Sequence, residues 1–160
     1  MPDARHTTHS RNVAFSPHAQ PLGRADAAVP PQGARVSFRL PAADTSASEA
    51  RRRTRRQLAD WRAPEETQEN ALLVMSELVT NALRHTSSTS VGCELRMLGT
   101  LLRVEVAGDG RGPVAPAAAA AEDDESGRGL FLVCALSERW GVRPADSGRG
   151  HVVWADLALP

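Results

Sequence analysis

The order of its periodic segments constrains the fold of this chain more than any other feature. Apolar residues that alternate with polar ones predict half-buried strands, and apolar residues three to four positions apart predict helices. The predicted elements are a strand over 35–40, a helix capped at 44–46 that runs to about 61, a helix over about 64–85, a hairpin of strands over 91–97 and 101–106, a helix over about 129–138, and strands near 140–143 and 151–157. This order predicts an α+β fold with helices on one face of a mixed, mostly antiparallel sheet.

The length of the chain sets its domain organisation. Its 160 residues leave room for one ordinary domain. Residues 1–33 are polar, small or proline without sustained periodicity, so they cannot bury enough apolar surface to offset the entropy of ordering them. We therefore predict a disordered tail over 1–33 and a single domain over 34–160.

Charge and cysteine content exclude several classes of function. The 19 basic side chains balance 19 acidic ones, so no overall field draws the chain to nucleic acid or an anionic membrane. No segment is long and apolar enough for a membrane span or a signal peptide, and we expect a cytoplasmic protein. Cys93 and Cys134 lack metal-ligand spacing and are expected to be reduced thiols. The arginine run 51–56 is either a solvated helix face or a nucleic-acid contact, and the lack of interleaved aromatic residues favours the former.

The second predicted helix carries polar residues opposite its apolar face. Four apolar residues at helical spacing supply the core face: Leu72, Met75, Val79 and Ala82. Glu77, Asn81 and Arg84 fall on the other side, where a carboxylate and an amide four residues apart can reach one ligand. Glutamate can act as a general base, and an asparagine carbonyl oxygen can bind magnesium. A solvated helix face is the alternative, and this helix alone does not choose between the two.

Two glycine-rich segments offer backbone to a ligand. The strand at 104–107 runs straight into the glycine-rich turn 108–113, where glycines allow positive φ and close backbone approach. Ser126-Gly127-Arg128-Gly129-Leu130 precedes the third helix, whose free N–H groups and dipole favour a phosphate. Taken singly, each segment could equally be a plain turn or a flexible helix start.

Taken together and in this order, residues 77–85, 108–112 and 127–130 resemble the N, G1 and G2 boxes of the GHKL (histidine kinase-like) ATPase superfamily. The branch that the chain most resembles is the small anti-sigma-factor serine/threonine kinases of actinobacterial type, over about 35–159. The resemblance implies a Bergerat-type two-layer α/β sandwich that holds ATP between the helices and a mobile lid at about 113–126.

The resemblance also implies a role for each box residue. Glu77 would be the general base and Asn81 the ligand of Mg²⁺, with Arg84 and His85 near the phosphates or the lid. The residues implied to bind the nucleotide are Asn81, Arg84, His85, Gly108, Asp109, Gly110, Gly112, Gly127, Arg128, Gly129 and Leu130.

Two positions depart from the family pattern. The aspartate that usually accepts from the adenine amino group is Gly108 here, with Asp109 adjacent. The threonine of the last strand that helps bind adenine through water corresponds to Val152, and His151 stands where lysine is common. A lost hydrogen bond to a charged group is worth about 1.5–3 kcal/mol, or one to two decades in adenine affinity.

Two functions follow from the resemblance. The first is an ATP- and magnesium-dependent kinase that phosphorylates an anti-sigma factor antagonist, or sequesters a sigma factor, in a partner switch that regulates transcription. The alternative is a degenerate binding module that captures regulatory proteins with weak or no nucleotide dependence, which Gly108 and Val152 favour. The resemblance also suggests a homodimer. We expect neither membrane nor direct nucleic-acid binding.

Overall fold

The computed structural model describes residues 30–85, 89–109 and 125–160 of the chain. Most of the predicted tail, the glycines at 110 and 112 and most of the predicted lid lie outside these residues. Within them the chain forms, in order, β1 (Arg35–Pro41), α1 (Ser46–Asp60), α2 (Glu65–His85), β2 (Ser90–Leu98), β3 (Leu101–Gly108), α3 (Glu125–Leu136), β4 (Arg139–Pro144) and β5 (His151–Ala158). The order of elements predicted from the sequence is confirmed.

The five strands of the described residues form one sheet in the order β1-β2-β3-β5-β4. Each of the four neighbouring pairs is antiparallel, so the sheet has no parallel pair where the sequence led us to expect a mixed one. The chain leaves β3, passes through α3 to the outer strand β4, and returns between them as β5. The β4–β5 turn therefore lies beside the end of β3.

The pleat of the strands divides the sheet into two unlike faces, because successive side chains point to opposite sides. In one row of the register Phe38, Cys93, Val106 and Val153 lie across from one another. The neighbouring row, on the opposite side, consists of Ser37, Glu94, Glu105 and Trp154. We call the first side the helix-side face and the second the open face.

The three helices cover the helix-side face and share one apolar core with it. The fully buried residues of α2 are Ala71, Val74, Met75, Leu78 and Val79. Leu72, which was predicted to lie on the core face, is only half-buried, because α2 packs on α1 as well as on the sheet and its buried stripe centres on Val74 and Leu78. Burying a Val, Leu or Met side chain completely stabilises the fold by about 1.5–3 kcal/mol.

Hydrogen bonds fix where both long helices begin. Thr45, which lies in the predicted capping segment 44–46, is the N-cap of α1 but makes no side-chain cap bond. Instead, the Ser46 hydroxyl donates to the Pro41 carbonyl and ties α1 to the end of β1. At the start of α2, Gln68 donates its backbone N–H to Pro64 O at 2.9 Å. The buried Thr67 hydroxyl donates to Ala158 O at 2.9 Å, so α2 starts at the end of β5.

The arginine run of α1 is exposed to solvent. Glu49 accepts hydrogen bonds from Arg52 at 2.7 Å and Arg53 at 2.8 Å, and these bonds lower the pKa of its carboxyl group to about 2. The pairing supports the interpretation of a solvated helix face. None of the helices within the described ranges is both long and apolar enough to cross a membrane.

Both cysteines are free thiols. Cys93 is buried on the helix-side face, and this burial raises the pKa of its thiol to about 12, which leaves it protonated and inert.

Candidate functional site

The polar residues of α2 lie along one side of the helix, next to its buried stripe. Glu77 and Asn81 are both half-buried and stand one turn apart, while Arg84, near the C-terminal end of the helix, is exposed. Half-burial next to a core surface differs from the solvated face that was the alternative for these residues. A carboxylate and an amide are thus held side by side at the margin of the core.

The carboxylate of Glu77 lies directly against the backbone of α3 at Gly129. A Cβ atom added to Gly129 would overlap Glu77 Oε2 and would stand 3.2 Å from Glu77 Cδ. Only a residue without a side chain lets the carboxylate approach α3 this closely. The contact brings the first and third predicted motifs together, although they are far apart in the sequence.

The third motif is part of α3 rather than a segment before it. Helix α3 begins at Glu125, four residues earlier than predicted, so the backbone of residues 125–128 forms its first turn. The first four N–H groups of a helix have no partner within it, and the helix dipole adds partial positive charge there. Leu130 is buried and anchors this turn to the core. The start of α3 therefore has N–H groups without a partner in the helix, and Glu77 lies close to it.

The second motif begins where β3 ends. Gly108 is paired with His151 of β5 and, two residues beyond Val106, lies on the helix-side face. Asp109 follows it and is exposed. The resemblance implies an adenine-binding aspartate at position 108. This position faces the helices, but Gly108 provides no side chain there.

The β4–β5 turn packs tightly on this strand end. Gly150 has φ of +77°, and a Cβ atom there would overlap the carbonyl oxygen of Gly108 and lie 2.6 Å from Asp109 Cα. Gly150 lies between the two strands predicted near 140–143 and 151–157, and the sequence did not predict this backbone contact. The glycine immediately before a strand was the available signal.

The register does not place Val152 beside Gly108. Val152 is paired with Ala107 and lies on the open face, whereas His151 is the residue across from Gly108. The assignment of Val152 to the adenine-binding threonine position is therefore not supported, because a one-residue offset along a strand reverses the direction of a side chain.

The donor set at Glu77 and Asn81 fits a magnesium ion that shares its coordination with phosphates. Within the described ranges no three His, Cys, Asp or Glu residues cluster as a protein-only metal site. Mg²⁺ does not need one, since it is usually held by one or two protein oxygens together with water and substrate phosphates. A half-buried carbonyl oxygen at Asn81, one turn from Glu77, meets that requirement.

The structure therefore brings several predicted residues together and leaves others undescribed. Glu77 and Asn81 share a side of α2, Glu77 touches Gly129, and Gly108 lies at the strand end covered by Gly150. Gly110 and Gly112 lie outside the described residues. Gly127 and Arg128 belong to the first turn of α3, and the Arg128 side chain is exposed.

Comparisons with known proteins identify the family and the fold of the chain. The family model of the histidine kinase-like ATPase domain matches residues 40–156. The crystal structure of the RsbU and RsbW domains of Rv1364c from Mycobacterium tuberculosis has a TM-score of 0.59 at 17% identity, over 79% of this chain and 32% of that one. This match shows a shared fold.

A second solved structure matches a shorter part of the chain. The histidine kinase domain of the blue-light activated histidine kinase from Erythrobacter litoralis is 34% identical over 60% of this chain and 46% of its own, with a TM-score of 0.42. This chain thus spans about a third of the first matched chain and less than half of the second. Comparison with curated proteins finds no match.

Proposed function

This chain belongs to the family of histidine kinase-like ATPase domains, and from that premise we propose that it binds ATP with magnesium between α2 and α3 and phosphorylates a regulatory protein. The acceptor that we propose is a serine or threonine of an anti-sigma factor antagonist. The protein would act in a cytoplasmic partner switch that regulates transcription.

The approach of Glu77 to the start of α3 is the observation that carries this proposal. The first-turn N–H groups of α3, which have no partner within the helix, suit a phosphate chain, and the Glu77 carboxylate lies against the same helix at Gly129. A base that is fixed beside a phosphate-binding turn is the arrangement that phosphoryl transfer to a hydroxyl group requires. If the polar residues of α2 served only solubility, α3 would not need a glycine at position 129.

We assign the proton transfer to Glu77. The hydroxyl oxygen of the acceptor forms a bond to the γ-phosphorus, and the bond from that phosphorus to the bridging oxygen breaks. ADP leaves with the electron pair, and the Glu77 carboxylate takes the hydroxyl proton. The N–H groups of the first turn of α3 orient the phosphates during this step.

Asn81 would hold the magnesium ion through its side-chain carbonyl oxygen. When bound, magnesium neutralises charge on the phosphates. Arg84, exposed and three residues further along α2, is close enough in the helix to act on the same phosphates or on residues 113–126. Because it is exposed, its charge would contribute through solvent-screened attraction rather than through a buried contact.

Gly108 sets the expected affinity for the base of the nucleotide. Its position on the helix-side face provides no carboxylate to accept from the adenine amino group. We therefore propose modest adenine affinity, about one to two decades below that of a site with the aspartate, with phosphate contacts supplying most of the binding.

The partner class rests on the fold. The similar structure from Mycobacterium tuberculosis contains an RsbW domain, and the motif order of this chain resembles that of anti-sigma-factor kinases. We propose that an anti-sigma factor antagonist is the substrate of this chain and that a sigma factor can also bind to it.

Calorimetric titration of the full chain with ATP, with and without magnesium, tests nucleotide binding. Transfer of radiolabelled phosphate from ATP to antagonist proteins of the same organism tests the kinase. Glu77→Gln should leave ATP affinity within about threefold and lower transfer by about 10²–10⁴-fold, which is the usual contribution of a general base. Glu69→Gln, an exposed neutral control on the same helix, should change neither.

Absence of heat with ATP and magnesium, together with partner capture that survives Glu77→Gln, would establish the binding module instead. Transfer that is equally fast in Glu77→Gln and in the unmodified chain would remove Glu77 from the chemistry.

A further inference from the structure

The open face of the sheet contains a cleft of about 420 Å³. This cleft lies on the side opposite the helices, so it is separate from the proposed nucleotide site. Its floor is formed by Gly92, Ala107 and Val152, and arginines from both edge strands, Arg39 and Arg143, line it. Its volume falls within the range of small-molecule sites, about 300–1,000 Å³.

One row of the register explains the shape of the cleft. Arg39, Gly92, Ala107, Val152 and Arg143 lie directly across from one another on the five strands. The three small residues occupy the central strands and the two long ones the edges. At about 4.8 Å per strand, the two arginine backbones stand about 19 Å apart, which leaves a trough across the sheet.

Both arginine heads lean inward over this trough. Arg39 Nη1 lies 3.9 Å from the point at which a Cβ atom of Gly92 would stand. From the other edge, Arg143 Nη2 donates to Glu105 Oε2 at 3.2 Å. The two cationic groups therefore reach toward the floor from opposite ends, although the Arg39 side chain remains exposed to solvent.

The backbone does not require glycine at position 92. Gly92 has no positive φ, and an added Cβ atom would meet Ala107 Cβ at 3.7 Å, an ordinary contact. This distinguishes Gly92 from Gly150, whose conformation and packing both demand glycine. The missing side chain at 92 keeps the trough open, and the fold gains nothing from it.

The charges of the cleft leave donors without acceptors. Its lining carries four arginines and three carboxylates. Glu94 is held by Arg35 at 2.8 Å and by Arg96 at 2.6 Å, and Glu105 is held by Arg143. Arg39 donates to the Ser90 hydroxyl at 3.1 Å and forms no ion pair within the described part of the chain.

Arg96 adds an independent observation. Its Nε atom is buried and has no hydrogen-bond acceptor among the described residues. Buried donors are nearly always paired, and an unpaired one costs free energy, so an acceptor is expected there when the cleft is filled. Guanidinium groups match the planar, two-oxygen geometry of carboxylates and phosphates.

We propose that this cleft binds a small organic anion whose acidic group is a carboxylate or a phosphate. Arg39 and the Nε–H of Arg96 donate to its oxygens, and its body lies on the floor of Gly92, Ala107 and Val152. The site is independent of ATP, because it faces away from α2 and α3.

Nuclear magnetic resonance of the arginine Nε–H groups of the ¹⁵N-labelled full chain tests this site, with citrate and inorganic phosphate titrated separately. The signals of Arg96 and Arg39 should shift saturably, with a Kd below about 1 mM in at least one titration. A response to citrate alone identifies a carboxylate ligand, and a response to phosphate alone identifies a phosphate ligand. Shifts with neither probe would overturn the proposal.

Variants separate the site from general charge attraction. Gly92→Leu fills the trough without changing charge, and Arg39→Gln removes one donor, so each should weaken binding by about tenfold or more. Arg55→Gln, which removes an exposed charge on α1, is the matched control and should leave the Kd unchanged. Equal weakening by Arg55→Gln would mean nonspecific attraction of anions and would overturn the site. Circular dichroism verifies that each variant folds. If Gly92→Leu does not fold, the effect of Arg39→Gln on the Kd decides whether the site exists.

Two further measurements distinguish this cleft from the nucleotide site and from a contact between copies of the chain. Glu77→Gln should not alter the citrate or phosphate titration, so loss of ATP binding and loss of anion binding can be told apart. If Gly92→Leu instead converts a larger species to a smaller one in sedimentation, the cleft is a contact between copies and the anion proposal fails.

Discussion

The two faces of the sheet arise from the same five strands but are stabilised by different interactions. On the helix-side face the buried residues are Val, Leu, Met, Ala and Cys, and three helices exclude water from them. On the open face the described residues form no helix layer, and long charged side chains lie across the strands. The candidate site of the first face depends on close backbone approach, and that of the second depends on side-chain charge.

The open face shows how charged residues can cover a sheet. Asp156 is fully buried beneath Arg103 at 2.7 Å and Arg139 at 2.8 Å. The guanidinium of Arg103 also stacks on the ring of Trp154, 4.4 Å from its centroid. Because the stem of an arginine is apolar and its head is charged, such residues shield a sheet while they remain in contact with water. None of these four residues lines the cleft beside Arg39, which stays open.

The largest expected loss of stability comes from the strand end on the helix-side face. Gly150→Ala introduces a Cβ at positive φ and against the backbone of Gly108 and Asp109, which cannot move as a side chain can. We expect a loss of about 3–5 kcal/mol in the free energy of unfolding, measured in urea. Gly148→Ala is the control, since it has the same φ of +77° but no neighbour within 4 Å, and should cost about 1–2 kcal/mol. Equal losses would show that backbone packing at 150 contributes nothing.

The next largest effect is expected on the open face. Burial raises the pKa of Asp156, but the hydrogen bonds and charges of Arg103 and Arg139 outweigh this effect and leave the pKa below its usual value of 3.8. Asp156→Asn should cost about 2–3 kcal/mol near pH 7. Asp146→Asn, at a side chain that is 97% exposed, should change stability by less than about 0.5 kcal/mol.

The pH dependence of Asp156 has a definite sign. A lowered pKa in the folded state means that the stabilisation is complete above the unfolded value near 3.8 and disappears as pH falls through the lower folded value. The difference between the unmodified chain and Asp156→Asn should therefore shrink below about pH 4. A difference that stays constant down to about pH 2 would mean that the carboxylate charge is not what stabilises this face.

A smaller effect is expected where the helix layer is attached to the sheet. Thr67→Val removes the hydroxyl that donates to Ala158 O but keeps the shape of the side chain. The lost hydrogen bond should cost about 1 kcal/mol, seen as a lower urea midpoint with an unchanged slope. A loss above about 3 kcal/mol would indicate that this bond positions the whole of α2 and not only its first turn.

The sequence predicted the helix-side face better than the open face. Both the strands and α2 follow a regular apolar periodicity. This periodicity predicted the element order, the buried residues Met75 and Val79, and the polar side of α2 with Glu77 and Asn81. The family resemblance then selected one function from the many that such a helix could serve.

Features that depend on contacts between distant segments could not be predicted from periodicity. The contact of Glu77 with Gly129 joins two distant segments of the chain, and the row from Arg39 to Arg143 needs a register that no single strand reveals. Val152 was misplaced for the same reason, since its face depends on being paired with Ala107. The charged residues of the strands were visible in the sequence, but their partners were not.

The smallest expected change in stability tests the contact on which the proposed function depends. Gly129→Ala forces only the flexible end of Glu77 to move, and alanine is favoured over glycine within a helix by about 1 kcal/mol. The two effects nearly cancel, so stability should change by less than about 1 kcal/mol, as in the control Gly92→Ala on the open face. Phosphoryl transfer should nevertheless fall about 10–100-fold in Gly129→Ala alone, because the displaced carboxylate no longer lies beside the start of α3. Transfer that persists unchanged would mean that the closeness of Glu77 to α3 is a packing feature and that the catalytic base lies elsewhere.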